Sequence, residues 1–337
     1  MEVSALVDEG SKYRLLYSDG DIREKAESLL KMDPDPVPRF ILLKEFMKTD
    51  PADREYKKAY RDVLSHGYVK KFESGQTEDG YWGSFHGDSE AVLRRLFLLG
   101  LELSHPCFQK AGAFMETILR GEDIWHQRCE KQDHPGWWLE MFMPLVTASN
   151  LSLIDPQNVL LDKQIALWRS FAEAAFASGR YDPAAEAAAQ YEHFRIRTKR
   201  PIPFYSYYCV ILLTSREGIL SDGLYKKILD YCLDRDEGMY YIYDRKPSVC
   251  VPISDTKYFF WWMRCVSILS RLKGWEQYKV RYCNWVWDQM NADGFWDLIN
   301  KPGYSQYVLS DSWRKSKNRI IDSSIYVMRF LTDFRGI

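Results

Sequence analysis

The sequence predicts an all-α chain built from helical-hairpin repeats. Three observations carry this: a glycine-centred turn that recurs at regular intervals, apolar residues at 3–4 spacing between the turns, and the absence of any sustained alternating pattern that would make a strand. The clearest copy of the turn reads Gln76-Thr-Glu-Asp79-Gly80-Tyr81-Trp82-Gly83. A second is Gln289-Met-Asn-Ala-Asp293-Gly294-Phe295-Trp296, a degenerate one is Asp236-Glu-Gly238-Met-Tyr240-Tyr241, and the weakest is His134-Pro-Gly136-Trp137-Trp138. Gly80 to Gly136 and Gly238 to Gly294 are both steps of 56 positions, and Gly136 to Gly238 is a step of 102. A copy is missing near residue 187, where Ala184 to Ala189 runs instead. A unit of about 50 residues holds two helices and their connections, so about six units and twelve helices fit the chain.

The intervening segments read as helices. Asp88 and Ser89 can cap a helix carrying Val92, Leu96, Leu99 and Leu103 at helical spacing. Pro106 suits the first turn of its partner, which runs to about Arg120 and stops at Gly121. Phe259, Trp262, Val266, Leu269 and Leu272 form another stripe, with Tyr258, Phe260 and Trp261 filling the other faces, as expected of a helix enclosed on all sides. Ile321, Ile325, Met328 and Leu331 repeat the pattern near the end. The run Met239 to Tyr243 reads as loop. No composition shift marks a boundary, so one domain over 1–337 is expected, with 1–21 loosely packed.

Composition narrows the function classes. The 46 basic and 47 acidic residues nearly cancel, which gives no electrostatic case for nucleic acid. No run approaches the ~20 apolar residues of a membrane span, and the first 21 residues lack the pattern of a signal peptide. The seven scattered cysteines, with no CxxC pair, fit buried thiols in a reducing cytoplasm. Aromatic content is the unusual feature: 15%, with 12 Trp and 22 Tyr. Rings that bury area while keeping a polar atom can line a cavity as well as fill a core.

The Gln-x-x-Asp-Gly-x-Trp-Gly pattern followed by a helical hairpin resembles the prenyltransferase and squalene-cyclase repeat. Pro38-Arg39-Phe40 with Leu43-Lys44-Glu45, and Leu309-Ser310-Asp311-Ser312-Trp313-Arg314 with Ile321-Asp322-Ser323-Ser324, are similar to the two ends of bacterial squalene-cyclase-like proteins. The resemblance implies an α/α toroid of the (α/α)6 type and a small apolar, isoprenoid-like ligand. It does not bring that superfamily's chemistry with it. The nearest match to the class II acid motif, Asp234-Arg235-Asp236-Glu237, ends in Glu and precedes Gly238, where a solvated turn is the simpler reading. No Asp-rich class I cluster exists. His126, Cys129, Asp133 and His134 have zinc-ligand types without a standard spacing, so neither a metal nor a cofactor is expected.

The strongest polar constellation is Asp79, Trp82, His86, Asp88 and Glu90, in which a carboxylate could orient His86 for proton transfer. Asp255 and Asp322 each precede an apolar stripe. If their helices form the inner ring, both converge with His86 on one mouth, and these three are the candidate catalytic groups. Trp82, Trp137, Trp138, Tyr258, Trp261, Trp262 and Trp296 are the candidate ligand-binding rings. Two other functions fit the same fold: a carbohydrate-active (α/α)6 enzyme with aromatic platforms and paired acids, and a non-catalytic protein-binding scaffold.

Overall fold

The computed structural model describes residues 14–122, 136–198, 201–298 and 308–332. Among these the chain is all-α. The helices are α1 (Asp19–Lys31), α2 (Pro36–Ile41), α3 (Arg54–Leu64), α4 (Gly67–Gly75), α5 (Glu90–Leu98), α6 (Pro106–Leu119) and α7 (Met143–Ile154). They continue with α8 (Asp162–Ala175), α9 (Pro183–Phe194), α10 (Tyr207–Leu213), α11 (Asp222–Asp234), α12 (Thr256–Leu269), α13 (Glu276–Trp287) and α14 (Ser316–Leu331). These fourteen exceed the expected twelve among the described residues alone. No strand occurs among them; the run from Met239 makes only isolated bridges, Ser206 to Tyr240 and Met239 to Tyr243. No described helix is long and apolar enough to cross a membrane.

Burial divides the helices into two kinds. In α10 all seven residues are buried, and α7 and α14 are buried around nearly their whole circumference. By contrast α3 buries only Tyr56, Ala59 and Val63, and α1 only Ile22, Ala26 and Leu29, the single stripe of a surface helix. The enclosed helices touch in sequence. Lys44, in the π-helical extension of α2, donates to the Gly100 carbonyl beyond α5 at 2.8 Å. Asn150 of α7 donates to Glu90 of α5 at 3.2 Å. The chain of contacts continues from α7 to α10 and from α10 to α12. Phe260 and Trp262 of α12 pack on Tyr326 and Phe330 of α14. Helix α14 then returns to α2: Arg329 grips Glu45 with two hydrogen bonds of 2.7 and 2.6 Å, both side chains being buried. Tyr17 adds a hydrogen bond of 2.7 Å to the Leu331 carbonyl, tying down the start of the described chain.

The glycine turns explain the spacing in part. Gly80, Gly238 and Gly294 all have positive φ, which a side chain disfavours. The first and last copies share one hydrogen-bond pattern: Thr77 N–H to Tyr81 carbonyl matches Asn291 N–H to Phe295 carbonyl, at 2.8 and 2.7 Å. In each, the following tryptophan donates its indole N–H to the carbonyl ten residues upstream, Trp82 to Phe72 and Trp296 to Val286. Gly136 differs. Its φ of −63° is helical, and it opens the π-helical turn Trp137–Phe142, so the weakest proposed copy is not a turn of this kind. The alanine run near residue 187 is plain helix within α9.

Local signals otherwise read as expected. Pro106 opens α6 behind the His105 cap and Gly121 follows its end with φ +77°. Phe259, Trp262, Val266 and Leu269 are all fully buried. The stripe of α5 is shifted: Leu93, Leu96 and Leu99 are buried, Val92 is half-buried and Leu103 is exposed. Ser89 does hold the cap position before Glu90, but it makes no side-chain cap bond, because its hydroxyl bonds Trp82 and Ser84 in the turn before the helix.

Candidate active site

The segment between Trp82 and α5 is locked before it reaches His86. Ser89 Oγ accepts the Trp82 N–H at 2.8 Å and donates to the Trp82 carbonyl at 2.9 Å. Asp88 accepts from the Ser84 N–H at 2.9 Å and the Ser84 hydroxyl at 3.0 Å. Between these clasps the backbone leaves the helical path at His86 (φ −74°, ψ 120°) and Gly87 (φ 99°, ψ −68°). Gly87 makes the reversal possible, since a side chain resists that φ. The reversal sets His86 over the first residue of α5, and His86 Nδ1 lies 2.6 Å from Glu90 Oε2.

Glu90 is almost completely buried and well supplied with donors. Besides His86 it accepts from the Gly87 N–H at 3.2 Å and from Asn150 Nδ2 at 3.2 Å, and Tyr208 hydrogen-bonds to it as well. Burial opposes ionisation, but the His86 bond and charge, Asn150 and the Gly87 N–H outweigh it, so the carboxyl sits below its ordinary range. An ionised carboxylate only accepts, so the proton of the 2.6 Å bond belongs to His86 Nδ1. In the neutral ring Nε2 is then the nitrogen with the lone pair, and it has no hydrogen bond among the described residues. The His86 side chain keeps 19% of its surface open to solvent. This is the arrangement of an imidazole poised to take a proton at Nε2, with a carboxylate to stabilise the imidazolium. Burial, followed by the Glu90 charge, pushes the Tyr208 phenol far up, so Tyr208 stays a neutral donor.

Aromatic rings enclose the pair. Trp138 and Phe142 meet the His86 ring edge-on, with centroids 5.6 and 5.0 Å away. Phe142 packs in turn on Tyr208 and Tyr241. Tyr241, held at φ +70°, also lines a cavity of about 340 Å³ whose other walls include Tyr240, Ile242, Tyr258 and Trp261. A bulky residue at positive φ is strained unless its surroundings hold it there. Glu237, Asp244 and Lys257 supply the polar rim.

The sequence-predicted residues separate into those at this site and those spent elsewhere. His86, Trp137, Trp138, Tyr258 and Trp261 lie in or beside the aromatic region. Asp255 caps α12 in position only, without a side-chain cap bond; its half-exposed carboxylate faces Arg245 at 3.7 Å, and Arg245 covers the Tyr258 ring. Asp322 is fully buried and accepts four hydrogen bonds, from the Leu309 and Ser310 N–H groups, the Ser310 hydroxyl and the Trp313 indole. Burial pushes its carboxyl up to about 6 against those donors. It anchors the 308–313 loop to α14. His86, Asp255 and Asp322 share no hydrogen bond, ion pair or ring contact among the described residues. Trp82 and Trp296 are committed to their turns, and Trp262, fully buried, donates to the Pro247 carbonyl at 2.9 Å. Asp234 and Asp236 are exposed and share Lys246, so the nearest class II-like acids are not dry. His126, Cys129, Asp133 and His134 lie outside the described residues.

Sequence reasoning missed Asn150, Tyr208, Tyr241 and Phe142. Asn150 alone left a trace, as an amide within the apolar Met143–Ile154 segment. No protein-family model, curated protein or solved structure matches this chain.

Proposed function

We propose that this chain is an α/α toroid, resembling the terpenoid cyclase and prenyltransferase superfamily, that takes a small, largely apolar ligand against its aromatic wall. In this reading α2, α5, α7, α10, α12 and α14 are the inner ring. The sequential contacts among them, returning from α14 to α2 through Arg329 and Glu45, support it. The observation that carries the functional reading is the His86–Glu90 pair, with one imidazole nitrogen open among rings. Its chemistry is general acid–base transfer: Nε2 accepts a proton from a ligand O–H or activated C–H and returns it to a neighbouring position, while Glu90 balances the charge. Protonating an isolated alkene is outside its reach, because that needs a dry neutral acid.

The test is saturable binding of N-phenyl-1-naphthylamine, a neutral fluorescent probe. Trp261→Ala and Tyr241→Ala should each weaken it severalfold, and His86→Ala should leave it nearly intact. No saturable signal in the wild type would remove the apolar-ligand reading. A sugar ring is the second reading, favoured by Tyr258 and Trp261 beside Glu237 and Asp244. Displacement of the probe by neutral disaccharides, but not by naphthalene, would select it.

A further inference from the structure

Trp138 is buried to 1% exposure, and its indole N–H has no hydrogen-bond partner among the described residues. Such a donor costs about as much as a lost hydrogen bond, and native interiors retain few of them. Four other tryptophans of this chain, Trp82, Trp262, Trp285 and Trp296, satisfy theirs on backbone carbonyls, while Trp275 shares the unpartnered state of Trp138. Trp138 is the one whose ring meets His86, and His86 holds an open acceptor at Nε2. An unfilled donor and an unfilled acceptor therefore belong to two rings in contact, on different elements: the turn before α5 and the turn before α7.

Resting on the apolar-cavity reading above, we infer that Trp138 Nε1–H and His86 Nε2 together bind the hydroxyl of a neutral alcohol or phenol carried on an apolar frame. A hydroxyl is the group that meets both needs at once. Its oxygen accepts from the indole and its hydrogen is donated to the imidazole. A carbonyl or ether oxygen satisfies Trp138 but gives His86 nothing. A carboxylate or phosphate brings negative charge next to buried, ionised Glu90. The flanking rings, Trp137 and Phe142, stack with centroids 4.9 Å apart and supply the apolar wall on that side. The bound hydroxyl would also be the group whose proton Nε2 takes, which joins recognition to the proposed chemistry.

The experiment is displacement of N-phenyl-1-naphthylamine, near neutral pH, by four compounds of one frame: naphthalene, 2-methoxynaphthalene, 2-naphthol and 2-naphthoate. The expected order of affinity is naphthol, methoxynaphthalene, naphthalene, then naphthoate, with about fivefold to tenfold for each neutral hydrogen bond gained. Trp138→Phe keeps a ring and removes the donor, so it should erase the advantage of methoxynaphthalene over naphthalene. His86→Phe should erase the advantage of naphthol over methoxynaphthalene. A readout free of folding effects is the indole ¹⁵N–¹H resonance absent in Trp138→Phe; in the wild type it should move with naphthol and stay with naphthalene. Equal binding of naphthalene and naphthol, or tightest binding of naphthoate, overturns the inference while the apolar cavity stands. Failure of naphthalene itself to bind removes the cavity reading, and the hydroxyl site falls with it.

Discussion

Removing Arg329 tests the closure between the chain's two ends. Its guanidinium makes two hydrogen bonds to Glu45 and a third, of 3.0 Å, to the Leu98 carbonyl. Side-chain exposures are 5% and 9%, so solvent screens the pair little. Arg329→Met leaves Glu45 charged and buried, which costs about 3–5 kcal/mol. Glu45→Leu combined with Arg329→Met removes both charges and leaves mainly the Leu98 carbonyl short of a donor, a cost of about 1 kcal/mol. A chain of 337 residues unfolds with an entropy of about 0.7 kcal/mol/K, so the single variant should melt about 4–7 °C lower and the double only 1–2 °C lower. Urea denaturation followed by circular dichroism gives the free energies for a double-mutant cycle. A single variant that loses less than about 1 kcal/mol, or a double that loses as much as the single, would refute the buried bridge between α2 and α14.

Two other outcomes rest on local geometry and titration. Glu186 accepts from the Phe204 N–H at 2.7 Å and the Tyr181 hydroxyl at 3.0 Å, and burial pushes its carboxyl up to about 7. The folded chain therefore holds this proton when the unfolded chain has lost it, and stability from this group falls by up to about 3 kcal/mol as pH rises from 4.5 to 7. Glu186→Gln should flatten the difference between unfolding curves at those two pH values; parallel curves would contradict it. Gly80→Ala would put a Cβ 2.3 Å from the Lys110 carbonyl oxygen at φ +105°, and should cost at least about 3 kcal/mol, whereas Gly121→Ala, at φ +77° with open space, should cost about 1 kcal/mol. Thermal melts of the two variants that coincide would show that the turn tolerates a side chain.

The helical class, the α6 boundaries and the buried stripe of α12 were legible because each rests on short-range rules: Pro106 and Gly121 punctuate, and apolar spacing reports enclosure. The repeat was half legible. Identical glycine spacing joined Gly136 to the others, yet the φ of a glycine is set by its neighbours, and Trp137 and Trp138 start a helical turn there. At the site, His86 and Glu90 stood four residues apart in the sequence, but the reversal at Gly87 that joins them is a backbone event. Asn150 and Tyr208 reach Glu90 across the fold, and only Asn150 left a local trace, as an amide in an apolar helix. Asp255 and Asp322 show the opposite failure. An acid just before an apolar stripe looks available, whereas Arg245 faces Asp255, and Asp322, seven residues into α14, is taken up by the 308–313 loop.

Proton transfer at this site depends on which nitrogen of His86 carries the proton, and ¹⁵N–¹H correlation of the histidine ring nitrogens reads that directly. With His86 assigned through His86→Gln, Nδ1 should carry the proton and Nε2 should be bare at mildly alkaline pH, and Glu90→Gln should disturb that preference. A proton on Nε2 in the wild type, or equal populations of the two tautomers, would contradict an imidazole fixed by Glu90 and open at its far nitrogen.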